Sequence, residues 1–458
     1  MFRTMYIKDF EITRPIFGVA GYDILEYGAV GDGIFDNTEI IQGVIDECSR
    51  EGGGRVIIPR GIFFSRPLEL KSRVNLQLLD GSLLLFSDKL EDYPLIYTSF
   101  EGFFTYRCVS PLYAKDAEDI AITGSGIIDG NGGAWRPVKK FKVTEAYWNQ
   151  LIKKGVVQKG KEEVWWPSQQ ALDGHLNLVP NPEKLKIKEE CEKYHDFLRP
   201  VLLNLTRCKN VNLSGVTFQN SPAWCLHPWL CENVLVENIS VKNPWFSQNG
   251  DGIDVESCKY VKVLHSKFDV GDDALCVKSG KNEDGRKLGV PCEYIQFRNC
   301  IVYHGHGGFV IGSEMSGGVR NVKVEDCLFI GTDTGLRFKS CLGRGGVVEN
   351  IKINNISMTD IKKEAIIFTM GYDMDTKEGQ EILPEEVPEF KEILISNINC
   401  MSAETAISIS GLAAKPVHNI YLYDIDINSK KPAKFEYSNN IDQSRVRINL
   451  MEDTYGNS

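Results

Sequence analysis

The sequence predicts an all-β fold: a single-stranded right-handed parallel β-helix with an N-terminal helical cap and one long, partly helical insertion. Two observations predict it. A four-residue unit recurs along the chain, opening on Asn or another polar residue and continuing apolar, variable, apolar. Each copy alternates at period two, so each reads as a short strand with one apolar face that it cannot bury alone. Stacking the copies as coils buries those faces in one continuous core.

The copies are Asn210-Val211-Asn212-Leu213, Asn233-Val234-Leu235-Val236, Tyr260-Val261-Lys262-Val263, Tyr294-Ile295-Gln296-Phe297, Asn321-Val322-Lys323-Val324, Asn350-Ile351-Lys352-Ile353 and Asn419-Ile420-Tyr421-Leu422, mostly spaced in the twenties. At the N-terminal end, Asn37 to Cys48 carries apolar residues at helical spacing and precedes the strand Arg55-Val56-Ile57-Ile58-Pro59. An amphipathic helix over the first coil, within residues 20–62, closes an edge that would otherwise recruit other strands. One block breaks the rhythm. Residues 135–199 are Lys-rich, contain Trp135, Trp148, Trp165 and Trp166, and follow the strand-turn Gly124-Ser125-Gly126-Ile127-Ile128-Asp129-Gly130. We read this block as an insertion near the substrate cleft, since loops projecting from a solenoid shape its binding face.

A chain of 458 residues would ordinarily suggest about three domains, but a solenoid escapes that prior, and residues 1–458 read as one catalytic domain. The net charge of −10 and a pI near 5.4 argue against a nucleic-acid partner. No run approaches the roughly 18 apolar residues of a membrane span. The 13 cysteines form no zinc-ligand spacing and read as buried reduced thiols. Lys8, Asp9 and Glu11 stand where an export signal needs an apolar run. A cytoplasmic location is the expectation, with a periplasmic or secreted protein, its signal trimmed, as the alternative. The oligomeric state is not legible.

The chemistry lies in Asn249-Gly250-Asp251-Gly252-Ile253-Asp254 and, one short repeat later, Gly271-Asp272-Asp273. Water attack on a glycosidic bond needs a protonated acid at the leaving oxygen and an ionised acid to activate the water. Acids on glycine-flanked turns of neighbouring coils could supply both. Turns favour Asp, Asn and Gly for backbone reasons too, and Asp254 stays open between turn residue and supporting acid.

At this point the sequence resembles glycoside hydrolase family 28, the polygalacturonases. Four segments carry the likeness in order: Asn249-Gly250-Asp251, Gly271-Asp272-Asp273, Gly305-His306-Gly307 and Arg337-Phe338-Lys339. The opening Tyr27-Gly28-Ala29-Val30-Gly31-Asp32-Gly33 is similar to the first coil of pectin-degrading β-helices. There are three departures. Gly250 stands where many members have Thr, Phe338 stands where many have Ile, and one extra residue separates His306 from Ile311-Gly312-Ser313. The last of these, with the segment through Arg320 and the Ser221 to Pro228 stretch, resembles the bacterial exo-acting branch. His304, two residues away, competes for the histidine role.

The resemblance implies inverting hydrolysis of α-1,4-galacturonosyl linkages, with exo action on oligogalacturonides. Asp272 would be the general acid, Asp251 and Asp273 would activate water, and His306 would support the acid. Arg337 and Lys339, pointing to one face of a strand, would hold a uronate carboxylate. Tyr372 and Asn249 would contact substrate. No cofactor and no metal is expected. The partner is a pectic oligo- or polysaccharide. Alternatives are a rhamnogalacturonan hydrolase of the same family, a β-helical pectate lyase, and a non-catalytic glycan-binding solenoid.

Overall fold

The computed structural model describes residues 5–372 and 382–451. They wind into a right-handed parallel β-helix whose coils pair through three ladders of strands. The first ladder is the sequence repeat itself. Val211, Val234, Val261, Ile295, Val322, Ile351, Ile393 and Ile420 stand in register, and every one is sealed from solvent. Glu392-Ile393-Leu394-Ile395 is a copy missing from the sequence reading, and it fills the long gap between the units at 350 and 419.

The polar residue opening each unit has a backbone reason. Asn210, Asn233, Tyr260, Tyr294, Asn321, Asn350, Glu392 and Asn419 all take left-handed φ, between 50° and 60°. Asn tolerates that region best among residues with a side chain. Its amide then serves a second purpose, since Asn233 donates to Asn210 and Asn419 to Glu392, each at 2.7 Å, along the stack. Where Tyr replaces Asn, the rings of Tyr260 and Tyr294 stack instead, with centroids 5.2 Å apart.

Inside, like residues lie over like. In the ladder that carries the site, Leu226, Ile253, Leu275, Phe309, Leu336 and Ile366 follow one another. Phe338 and Phe368 stack at 4.2 Å with rings 1° from parallel, which accounts for Phe in place of Ile at 338. All 13 cysteines are buried.

The cap helix spans Thr38–Arg50 and buries Ile41, Val44, Ile45 and Cys48 against the first coil. The insertion holds helices Glu145–Leu151, Gln169–Leu178 and Lys188–Glu192 beside a small antiparallel sheet of three strands. Its four tryptophans are buried. Two elements were not foreseen. An antiparallel hairpin, Leu95–Phe100 with Phe103–Cys108, folds over the face of the third ladder. Phe100 stacks on Trp224 at 4.6 Å, and Arg107 lies 3.5 Å over the Phe100 ring.

The other is the N-terminal segment, which runs outside the coils as a strap. Met5 packs on Leu394, Tyr421 and Tyr423. Asp9 pairs with Lys323, and Glu11 lies 3.7 Å from Lys262. Thr13 exchanges two hydrogen bonds with Asn233, and Arg14 pairs with Glu237. Asp9 and Glu11 are therefore counter-ions for Lys323 and Lys262, which stand two coils apart in one ladder.

Candidate active site

The three acids sit on the turns leading into the third-ladder strands. Asp251 precedes Ile253–Glu256, Asp272 and Asp273 precede Leu275–Lys278, and His306 precedes Gly307–Ile311. These strands pair directly, so neighbouring coils lay the turns one above another. The turns are too crowded for larger residues. A Cβ on Gly250 would lie 1.9 Å from Ser247 Oγ, so this chain has no room for the Thr common at that position.

One carboxylate oxygen from each of Asp251, Asp272 and Asp273 lies within 4.8 Å of the others. The rise between paired strands, about 4.8 Å, sets that scale. It is shorter than the roughly 6.5–9.5 Å usual for an inverting acid and base. Two oxygens at that separation can still share a single water at ordinary hydrogen-bond distance.

Cations hold this charge in place. Asp273 accepts from Lys339 Nζ at 2.7 Å and from Arg337 Nη1 at 3.3 Å, so in the empty site the expected uronate clamp already grips an internal carboxylate. Lys339 is buried, while the Arg337 side chain keeps 20% exposure toward the cleft. Tyr372 caps the pair, its ring centre 4.9 Å from Lys339 and 5.6 Å from Arg337. His306 Nδ1 lies 3.0 Å from Asp272 Oδ1. His304 instead faces Asp269 at 2.9 Å, so the nearby histidine is no competitor. Asn249, with left-handed φ of 53°, spends its side-chain oxygen on Arg199 at 2.8 Å.

Asp254 is not a turn residue. It lies inside a strand, fully buried, 3.6 Å from Lys278, which also pairs with Glu314 at 2.9 Å. Sequence reasoning missed Lys278, Glu314 and Lys142. Lys278 and Glu314 read as ordinary strand and loop charges, and only the fold stacks them beneath the acids. Lys142 comes from the insertion, and its Nζ stands 3.3 Å from His306 Nε2. The His306 ring thus stands between Lys142 on its Nε2 side and Asp272 on its Nδ1 side.

Electrostatics sort the acids. Burial, then Asp254 and Asp272, push the Asp251 carboxyl well above the carboxylate range. Burial does the same to Asp254 against the pull of Lys278. Burial also works to raise Asp272, but His306, Lys339 and Arg337 outweigh it and hold it low. Lys339 and Arg337 likewise outweigh burial at Asp273. Burial lowers His306, yet Asp272 prevails and the net shift is upward. These surroundings favour the protonated form at Asp251 and Asp254 and the ionised form at Asp272 and Asp273. Access sorts them differently: the Asp272 side chain keeps 21% exposure and that of Asp273 only 1%.

The hairpin and the insertion wall the groove on the side of earlier coils, enclosing a cavity of about 1030 Å³ that reaches Asn249. Among the described residues, no helix is long and apolar enough to cross a membrane.

Comparisons with known proteins agree with this geometry. The model of glycosyl hydrolases family 28 matches residues 181–445. The crystal structure of a hyperthermoactive exopolygalacturonase from Thermotoga maritima superposes with a TM-score of 0.81 at 34% identity, covering 96% of this chain and 94% of that one. An exo-poly-alpha-D-galacturonosidase of Dickeya chrysanthemi is 30% identical over 414 residues, 88% of this chain. An endo-polygalacturonase of Pectobacterium carotovorum is 27% identical, covering 83% of this chain and 81% of that protein. The chain spans 66% of the length of the Dickeya protein.

Proposed function

The chain belongs to glycosyl hydrolases family 28, and from that premise we propose that it hydrolyses α-1,4-galacturonosyl linkages, removing short products from the end of pectic oligosaccharides. One observation carries the chemistry: three carboxylates within 4.8 Å, one of them hydrogen-bonded to a histidine and another to an arginine–lysine pair. A lyase needs a base for a carbon-bound proton. A set of acids holding both protonated and ionised members suits acid–base hydrolysis instead.

Asp272, the most accessible acid, donates to the leaving oxygen. Asp273 is held ionised by Lys339 and is poised to orient and deprotonate water. Asp251 shares that duty once its proton has been passed on. Proton delivery to Asp272 is coupled to substrate. A uronate arriving at Arg337 and Tyr372 brings a negative charge that offsets the very cations depressing Asp272, and so raises its proton affinity. The hairpin and the insertion, which line a cavity beside the acids that reaches Asn249, support end-wise action. Buried free thiols such as Cys225, Cys258 and Cys292 suit a reducing compartment, where imported oligomers are the substrate.

The test is digestion of oligogalacturonides, following reducing ends, unsaturated products and product size together. The expected result is monomer or dimer from the first minutes, without ultraviolet-absorbing ends. Early medium-sized oligomers would refute end-wise action, and unsaturated ends would refute hydrolysis. Asp272→Asn should lower kcat by about 10²–10⁴-fold. Proton spectra of the first product settle the stereochemistry: a β-anomer for inversion, an α-anomer for the retention that the short carboxylate spacing alone would suggest.

A further inference from the structure

The cavity between the insertion and the coils holds cations with no carboxylate at ion-pair distance among the described residues. Arg107 and Arg199 are 8% and 7% exposed, and both line it, with Lys281 at its wall. Arg107 Nε donates to the Arg199 carbonyl at 2.9 Å. Arg199 donates to the carbonyls of Pro222 and Gln248 at 2.9 Å and to Asn249 Oδ1 at 2.8 Å. The Lys281 ammonium lies 5.5 Å from the Phe103 ring. No carboxylate forms an ion pair with any of the three among the described residues. Elsewhere on the same wall the cations are matched, Lys139 with Glu162 at 3.0 Å and Lys186 with Asp284 at 3.1 Å.

A guanidinium buried without a counter-ion is unfavourable, and the protein keeps two side by side. Burial pulls Arg107 to about 10, against a nearby Glu101 and the thiols of Cys108 and Cys191. Burial, then Arg107, pull Arg199 to about 9, opposed by Glu101 and Asp251. Their backbone hydrogen bonds fix where the two forks sit but leave the charge unmatched.

Position supplies the missing anion. The acids lie between two cationic groups along the solenoid axis. Arg337 and Lys339 stand on the later-coil side, while Arg199, anchored two residues before Asp251, stands with Arg107 on the earlier-coil side. A polygalacturonate carries one carboxylate per ring, so a chain crossing the acids presents one to each side. We infer that Arg107, Arg199 and Lys281 form a second carboxylate-binding site, which takes the uronate group of the sugar across the cleaved bond from the one held by Arg337 and Lys339. This rests on the polygalacturonase reading and adds a charge requirement to that sugar. Enclosure by the hairpin gives the site its strength, because charge-assisted hydrogen bonds gain most where water is excluded.

The test is binding of trigalacturonate and of its methyl ester to the inactive Asp272→Asn protein, with and without Arg107→Met. The ester keeps the shape and removes the charge. The expected result is roughly tenfold or more weaker binding of trigalacturonate, with the ester's binding unchanged within about twofold. Equal weakening of both ligands would mean a structural role for Arg107, and no weakening would mean no site; either overturns the inference. Lys281→Met, at the more open wall, makes the same comparison should Arg107→Met fail to fold. Hydrolysis by the unmodified protein is scored separately. Its absence removes the polygalacturonase reading, whereas loss of the charge-selective penalty removes only this one.

Discussion

Three side chains decide when Asp272 can hold a proton, and their pull can be probed through pH. His306, Lys339 and Arg337 depress Asp272 in the empty enzyme, while a bound uronate offsets the latter two. The profile of kcat/KM reports free enzyme and that of kcat reports the complex. An acid must be protonated to act, so activity is lost as pH rises through its pKa. The alkaline limb of kcat should therefore lie at higher pH than that of kcat/KM, and coincident limbs would contradict substrate-linked loading of Asp272. Lys142 acts from the opposite side of the histidine, where its ammonium opposes a second charge on the ring. In Lys142→Met the His306 titration followed by NMR should move upward, and an unmoved midpoint would show that the contact has no electrostatic weight. The acids were legible in the sequence because glycine-flanked turns and fixed order mark them. Lys142 was not, because nothing periodic ties residue 142 to residue 306.

At the scale of the element, one coil is a period-two strand and a left-handed corner, and the two demand different residues. The strand was readable wherever Asn or Tyr opened it. Glu392 takes the same φ of 50° without the asparagine signature, which is why its coil escaped notice. The hairpin Leu95–Cys108 escaped for another reason. Its strands carry no clear period-two alternation, and only the contacts of Phe100 with Trp224 and Arg107 show where it folds. Interior stacks carry the stability of each coil. Phe338→Ala would open a void against Phe309, Phe368 and Phe390 and should cost about 3–5 kcal/mol in denaturant unfolding. A cost below about 1 kcal/mol would mean the stack collapses around the gap. Because Phe338 lies between Arg337 and Lys339, activity should fall further than stability alone explains.

Across the whole molecule, the helical cap and the single solenoid were visible in the sequence, and the strap was not. Met5 to Arg14 has no periodicity of its own, since its register is dictated by the coils it crosses. Its role concerns cooperativity. A solenoid is a chain of nearest-neighbour contacts, in which a terminal coil can fray without consulting the far end. The strap joins positions that the winding keeps apart, from Tyr421 and Tyr423 to Lys323, Lys262 and Asn233. Removing residues 1–17 should therefore speed hydrogen exchange in the strand Val417–Lys431, far along the chain from the cut. Unchanged exchange there would show that the strap merely lies on the surface. The consequence concerns how the molecule comes into being. A segment synthesised ahead of the coils can reach its seat only after the coils around residue 420 exist, so the molecule is latched late, and a chain cut short before those coils is left unfastened.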